Sequence, residues 1–93
     1  MAMAVATVQV ENERVRVTEW RFAPGTATGV HRHEHDYVVV PMTTGRLLIR
    51  EGGQERANDL VLGQAYARGA GAEHDVINPG PASIVFVEIE IKA

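Results

Sequence analysis

The sequence predicts an all-β fold, and three observations support that prediction. Short apolar runs, alternating or continuous, occupy most of the chain. Clusters of glycine, proline and asparagine separate these runs every several residues from end to end. No window combines helical apolar spacing with flanking caps. The length of 93 residues, without a linker or low-complexity tract, predicts one domain spanning residues 1–93.

The predicted strands follow the apolar runs in chain order. The second run changes its apolar face between Val17 and Trp20, which indicates a bulge or a change of sheet. Gly52-Gly53 is typical of a hairpin, because both turn positions can adopt φ > 0. Asn58-Asp59 is predicted as a turn. The complete set of predicted strands is 5–10, 14–22, 37–42, 45–51, 54–57, 60–62, 64–67, 74–78 and 83–92.

The last predicted strand has apolar residues on both faces. One face carries the aliphatic side chains from Val85 to Ile91 at every second position, and the other begins apolar at Ile84 and ends charged at Glu88 and Glu90. This is more apolar surface than one small domain needs to bury, and strand 5–10 is an edge that can pair with another chain. We therefore expect a homodimer with β-strand contacts between the subunits.

Composition excludes several classes of partner and of site. The net charge of −3 provides no basic footprint for nucleic acid and no polybasic segment for a membrane surface. The apolar runs are too short to cross a bilayer, and the first residues lack the charged start of a signal peptide, so a cytoplasmic location is expected. Cysteine is absent, so any metal must be bound by nitrogen and oxygen.

Three of the four histidines lie within five residues, at alternating positions: His31, His33 and His35. In an extended strand such residues point to the same face, so their imidazoles can converge on one point. The fourth, His74, is distant in sequence but is also set among glycines. Neutral imidazole is the commonest metal-ligating side chain. The pattern predicts a metal held by His31, His33 and His74, and the alternative is a solvated, histidine-rich loop.

Two spaced motifs resemble those of the cupin superfamily, a group of small jelly-roll β-barrels. Gly25 is followed by five residues, then by His31-Arg32-His33, and Gly45 matches the glycine that closes the first cupin motif. In the second motif, Gly63 precedes Gly69-Ala70-Gly71 by five residues, and His74 and Asn78 follow at the family's spacing. Gly69 occupies the slot that is proline in the family. The resemblance implies an RmlC-like jelly-roll β-barrel.

The same resemblance implies that His31, His33 and His74 are metal ligands, but the family's glutamate ligand is missing. Its slot falls at Tyr37 or Val38. Tyr37 is therefore a candidate catalytic residue, as an acid or base beside the metal, as a phenolate ligand or as a hydrogen-bonding neighbour; a simple core aromatic is the alternative. Nearby substitutes for the glutamate are Glu34, His35 and Asp36.

The expected cofactor is one divalent ion, with iron, manganese, zinc or nickel as candidates. Three imidazoles can hold such an ion and leave a position open for water or substrate. The sequence therefore predicts a metal-dependent enzyme of dioxygenase, isomerase or lyase type acting on a small polar metabolite. A non-catalytic protein that binds a metal or a small ligand is the alternative.

Overall fold

In a computed structural model, residues 2–93 form nine β-strands and no helix, which confirms the all-β prediction. Every pairing between named strands is antiparallel. No helix long and apolar enough to cross a membrane occurs among these residues. The strands are β1 (Val5–Glu11), β2 (Val15–Phe22), β3 (His31–Arg32), β4 (Asp36–Pro41), β5 (Gly45–Glu51), β6 (Gln54–Leu60), β7 (Tyr66–Arg68), β8 (Glu73–Ile77) and β9 (Ile84–Ile91).

The strands form two sheets that face each other across the core. The first sheet has the order β1-β2-β9-β4-β7, and the second has the order β3-β8-β5-β6. The non-consecutive neighbours show that the chain crosses repeatedly between the sheets, as in a jelly roll. The sheets are not joined into one closed hydrogen-bonded barrel, so the predicted barrel is an open, two-layered jelly roll.

Aromatic and branched side chains from both sheets fill the space between the layers. Phe22 of β2 packs against Phe86 of β9 with ring centroids 5.6 Å apart, and both are buried. Leu47 and Leu60, from β5 and β6, are 1% exposed and close the core from the other sheet. Because successive strand residues alternate between faces, Phe86 brings Ile84 and Glu88 to the inner face of β9.

The predicted bulge exists, but it lies on β1 rather than on β2. Strand β2 pairs with β9 without interruption from Val15 to Phe22. Against β1, however, Val8 pairs with Thr18 and Val10 pairs with Val17, so β1 contains one extra residue. The apparent change of face in β2 has a simpler cause: its inner residues are buried in the core, whereas Val17 belongs to the outer face of the sheet.

The predicted turn at Asn58-Asp59 is wrong, because both residues lie inside β6. Asp59 accepts a hydrogen bond from Arg46 Nε of the paired strand at 2.6 Å, and Asn58 Nδ2 donates to the Tyr66 hydroxyl at 2.9 Å. These cross-strand bonds satisfy side chains that would otherwise favour a turn. The chain turns after Leu60 instead, so the separate strand predicted at 60–62 does not form.

Glycines serve two different purposes in this fold. Gly52 and Gly53 have φ of 60° and 77°, which confirms the predicted hairpin between β5 and β6. Gly45 has no positive φ, but a Cβ there would lie 3.1 Å from Ile84 Cδ1. Its glycine permits β5 to approach β9, so this residue of the first motif is explained by packing rather than by a turn.

The buried side chain of Asn78 connects the end of β2 to the loop between β8 and β9. Its side chain is fully buried, and Nδ2 donates to Phe22 O at 3.0 Å and to Ala82 O at 2.9 Å. Its Oδ1 accepts a hydrogen bond from the Gly80 amide at 2.9 Å. The motif asparagine is thus a structural residue that satisfies otherwise unpaired backbone groups.

Candidate metal centre

Backbone pairing between β3 and β8 brings the distant histidines together. His31 is the register partner of His74, so the two residues face each other across adjacent strands. His33 follows β3, and its backbone is fixed on both sides: its amide donates to Ala72 O at 2.9 Å, and its carbonyl accepts from the Gly71 amide at 2.8 Å. The loop before β8 therefore holds His33 beside His74, although 41 positions separate them in the chain.

The three imidazoles converge on one point through their Nε2 atoms. His33 Nε2 lies 3.1 Å from His31 Nε2 and 3.0 Å from His74 Nε2. Adjacent ligands at metal–nitrogen distances of ~2.0–2.1 Å are separated by roughly 2.8–3.0 Å in octahedral geometry and by roughly 3.3–3.4 Å in tetrahedral geometry. The two separations at His33 fit ligands of a single ion, and the ligand atoms of all three histidines lie within 4.8 Å of one another. The three Nε2 atoms also cannot all form good hydrogen bonds with one another, because in a neutral imidazole each nitrogen is either a donor or an acceptor.

The remaining hydrogen bonds orient His31 for coordination. His31 Nδ1 lies 2.9 Å from Gly29 O, which accepts its proton, and 3.2 Å from the Thr28 hydroxyl. Donation from Nδ1 leaves the Nε2 lone pair free to bind a metal, as in many histidine sites. His74 Nδ1 is buried and has no hydrogen-bond partner among residues 2–93.

The environment keeps the two buried histidines neutral. Burial, followed by the neighbouring His31 and His74, lowers the pKa of His33 to about 4. Burial also lowers the pKa of His74, and His31 adds to that effect. Both imidazoles are therefore unprotonated at neutral pH, which is the form that binds metal ions.

Tyr37 of β4 lies directly against this cluster. Its ring stacks on the His33 imidazole, with centroids 4.0 Å apart and planes 20° from parallel. Tyr37 is 5% exposed, and burial raises the pKa of its phenol to about 12, with a further contribution from Glu88. The hydroxyl is therefore a neutral hydrogen-bond donor at ordinary pH. Its catalytic role stays a prediction.

The other substitutes for the missing glutamate lie outside the cluster. Among residues 2–93, the only group of three or more ligand side chains close enough to share an ion is His31, His33 and His74. Asp36 Oδ1 instead accepts a hydrogen bond from the Ala70 amide at 2.8 Å. Glu34 is exposed and His35 is half-buried. The structure thus brings together the three histidines that the motifs indicate and leaves His35 out.

The histidines form one wall of a pocket between the two sheets, with a volume of about 140 Å³. One water molecule needs ~10–15 Å³ of such a volume, so the pocket has room for a molecule of roughly ten non-hydrogen atoms. Trp20 and Tyr66 contribute aromatic walls. Arg56 and Arg68 also line the pocket; Arg56 pairs with Glu51, whereas the Arg68 guanidinium lies 4.5 Å above the Tyr66 ring.

Glu88 is the pocket residue that the sequence did not reveal. It lies on the inner face of β9 and lines the pocket together with the histidines. Burial raises the pKa of its carboxyl group to about 7, and repulsion by Glu90 adds to this shift. Its position in the sequence was the available signal. Glu88 lies two and four residues after Phe86 and Ile84, so its side chain points to the same face of β9 as these two buried side chains.

Comparisons with known proteins agree with this architecture. No protein-family model matches the sequence. The chain is 62% identical over 89 residues to the Beta-alanine degradation protein BauB of Pseudomonas aeruginosa, covering 96% of this chain and 94% of that protein. It is 58% identical to a cupin domain from Bordetella pertussis, with a TM-score of 0.96 and coverage of 99% and 96%. An RmlC-like cupin from Shewanella frigidimarina has the same fold at 17% identity, with a TM-score of 0.69 and coverage of 95% and 75%. Together with the jelly roll and the three-histidine cluster, these likenesses show that the chain belongs to the cupin superfamily.

Proposed function

We propose that this cupin is a metal-dependent enzyme that acts on a small, polar, amino-acid-like metabolite. The observation that carries the proposal is the cluster of His31, His33 and His74 on the wall of a small pocket, where His33 Nε2 lies 3.1 Å and 3.0 Å from the other two Nε2 atoms. The relative's name, Beta-alanine degradation protein, supports the substrate class. The pocket volume supports it as well, because typical drug-sized sites are ~300 Å³ or larger.

His31, His33 and His74 would hold one divalent ion, with iron, manganese, zinc or nickel as candidates. An ion held by three neutral imidazoles would keep its full charge and would supply Lewis acidity, or dioxygen activation if it were iron. We propose dioxygenase, isomerase or lyase chemistry on this basis. Tyr37, stacked on His33, would donate a hydrogen bond or a proton to the substrate beside the metal.

The substitution Tyr37→Phe tests this role. We expect turnover of the metal-loaded protein to fall by about a hundredfold with unchanged metal content, because positioned proton donors contribute at least that much. The measurement is product formation, by NMR and oxygen consumption, from β-alanine and small amino acids of similar size. The matched control is Tyr66→Phe, since the Tyr66 hydroxyl lines the same pocket but is engaged by Asn58.

Three other outcomes would give Tyr37, or the whole protein, a different role. Loss of metal in Tyr37→Phe would identify a phenolate ligand. Equal turnover in the variant and the wild type would leave Tyr37 as pocket wall. Metal-dependent ligand binding by the wild-type protein with no turnover of any tested metabolite would refute the enzyme and leave a binding protein.

We further propose that the chain forms a homodimer through the outer face of the five-stranded sheet. Val10, Val17, Ile89 and Val38 occupy successive register positions across four neighbouring strands of that face. Every residue of β1 is exposed, and within residues 2–93 β1 pairs only with β2. An exposed edge strand beside an aliphatic face invites association with a second copy.

Sedimentation at micromolar concentration tests the dimer. The wild-type chain should sediment as a dimer, and Ile89→Lys should shift it to monomer because the charge lies in the middle of the aliphatic row. Val61→Lys, at an exposed valine between β6 and β7, is the control and should remain dimeric. A wild-type chain that is monomeric throughout this range contradicts the proposal.

A further inference from the structure

Glu88 is a buried carboxyl group without a positively charged partner. The residue is 8% exposed and lies on the pocket wall formed by the five-stranded sheet. Among residues 2–93, no ion pair involves its side chain. Burying a carboxylate without a partner is strongly unfavourable. A ligand that supplies the missing positive charge would offset that cost.

A second buried polar group without a partner lies next to Glu88. Thr18 is the register partner of Glu88, and Trp20 is two residues further along the same face of β2. Residues in this diagonal relation are ~7–8 Å apart, within reach of long side chains. Trp20 Nε1 is buried and makes no hydrogen bond of good geometry, although its N–H approaches Glu88 closely enough to favour the ionised carboxylate. The indole N–H can therefore hold one carboxylate oxygen and leave the other free for a ligand.

Glu88 is one side chain away from the histidine cluster. On its other flank, Glu88 pairs with Val39 of β4, and Tyr37 is the diagonal neighbour on the same face. Tyr37 in turn stacks on His33 at 4.0 Å. Glu88 and the three histidines thus line one pocket, and a molecule inside it lies between the carboxyl group and the histidine cluster.

We infer that Glu88, held by Trp20, is a binding subsite for the primary ammonium group of a small substrate whose oxygen end lies at the histidine cluster. The ammonium donates to one oxygen of Glu88, and the Trp20 N–H donates to the other. Arg68, which forms no ion pair with a carboxylate among residues 2–93, adds positive charge along the pocket wall and favours a ligand that also carries a carboxylate. This inference rests on the proposed function and specifies its substrate class as ω-amino acids of the size of β-alanine.

The test compares β-alanine with two molecules that each lack one of its charged groups. Propionate lacks the ammonium, and ethylamine lacks the carboxylate. Trp20 is the only tryptophan, so its fluorescence reports occupancy of the subsite directly. In the zinc-loaded protein, β-alanine should bind about ten- to a hundredfold more tightly than propionate, the range expected for a charge-assisted hydrogen bond. Glu88→Gln should abolish this preference, whereas Glu88→Asp, which keeps the charge, should retain part of it.

Two results would overturn the inference. One is wild-type protein that binds β-alanine no more tightly than propionate, by fluorescence and by ligand-observed NMR. The other is a preference that survives in Glu88→Gln. Near-ultraviolet circular dichroism establishes that the variants are folded, and Glu88→Asp provides the charged counterpart in the same position.

Zinc removal separates this inference from the proposed metal site. Chelation should weaken the binding of β-alanine and propionate, because each supplies an oxygen ligand to the metal, and should leave the binding of ethylamine unchanged. If chelation has no effect while Glu88→Gln still abolishes the ammonium preference, the metal role fails and the ammonium subsite stands. If chelation weakens both carboxylates while the variant keeps the preference, the metal role stands and the subsite fails.

Discussion

Protein purified without chelator should carry close to one divalent ion per chain, and His33→Ala or His74→Ala should strip it. Outer-shell partners typically contribute 10–100-fold to metal affinity, so loss of a direct ligand should weaken binding by more than about a hundredfold. His33 is the most informative position, because its Nε2 lies between those of His31 and His74. Elemental analysis by mass spectrometry measures the content directly.

The matched control is His35→Ala. His35 has the same alternating spacing but lies outside the cluster, so its replacement should leave the ion in place. Full metal retention in both the His33 and the His74 variants would remove these residues as ligands. Loss of metal in His35→Ala would instead show that the cluster extends to a histidine that lies apart from it in this structure.

Acid should release the ion at a lower pH than an ordinary histidine site would. An unperturbed imidazole takes up its proton near pH ~6.5. Burial lowers the pKa of His33 to about 4 and also lowers that of His74, so protons compete with the metal at these ligands only in more acidic solution. Metal content should therefore persist at pH 6 and fall toward pH 4.

The histidine site could be predicted from sequence because the spacing of the two motifs indicates a long-range contact, which secondary-structure propensity does not. Local pattern alone places His31 and His33 on one face but says nothing about His74, which becomes the register partner of His31 only through β3–β8 pairing. The two spaced motifs supply that long-range information. The same spacing suggested His35 equally well, yet β3 ends at Arg32, so the alternation does not continue to His35.

Glu88 escaped prediction because β9 is apolar on both faces. The longer aliphatic run, from Val85 to Ile91, is the one that sequence pattern would bury first. The structure turns that run outward and buries Ile84, Phe86 and Glu88, since Phe86 must meet Phe22 in the core. Aromatic packing between strands that are distant in sequence therefore decides which face of β9 is buried. A one-residue change of register would have exchanged the buried face and the exposed face.

Glu88→Gln should stabilise the protein at alkaline pH and change it little at acidic pH. Burial raises the pKa of this carboxyl group from 4.5 to about 7, with Glu90 adding to the shift while Trp20 and Arg16 oppose it. Because the folded-state pKa lies above the unfolded value, the folded protein binds the extra proton. Its stability is therefore greatest below pH 4.5 as far as this group is concerned and falls as pH rises to about 7.

Glutamine cannot ionise, so the variant does not lose stability as pH rises. The difference in free energy of unfolding between the variant and the wild type should therefore grow by roughly 2–3 kcal/mol between pH 5 and pH 8, about a hundredfold in the unfolding equilibrium. Urea unfolding of both proteins at the two pH values measures it, and the titration of the shared histidines cancels in the difference. Glu13→Gln, which removes an exposed carboxylate from the β1–β2 turn, is the control and should behave alike at both pH values. An equal effect of Glu88→Gln at pH 5 and pH 8 would show that Glu88 is not desolvated. The expected gain in stability, set against loss of ammonium binding, would mark Glu88 as a residue whose burial weakens the fold and serves the pocket.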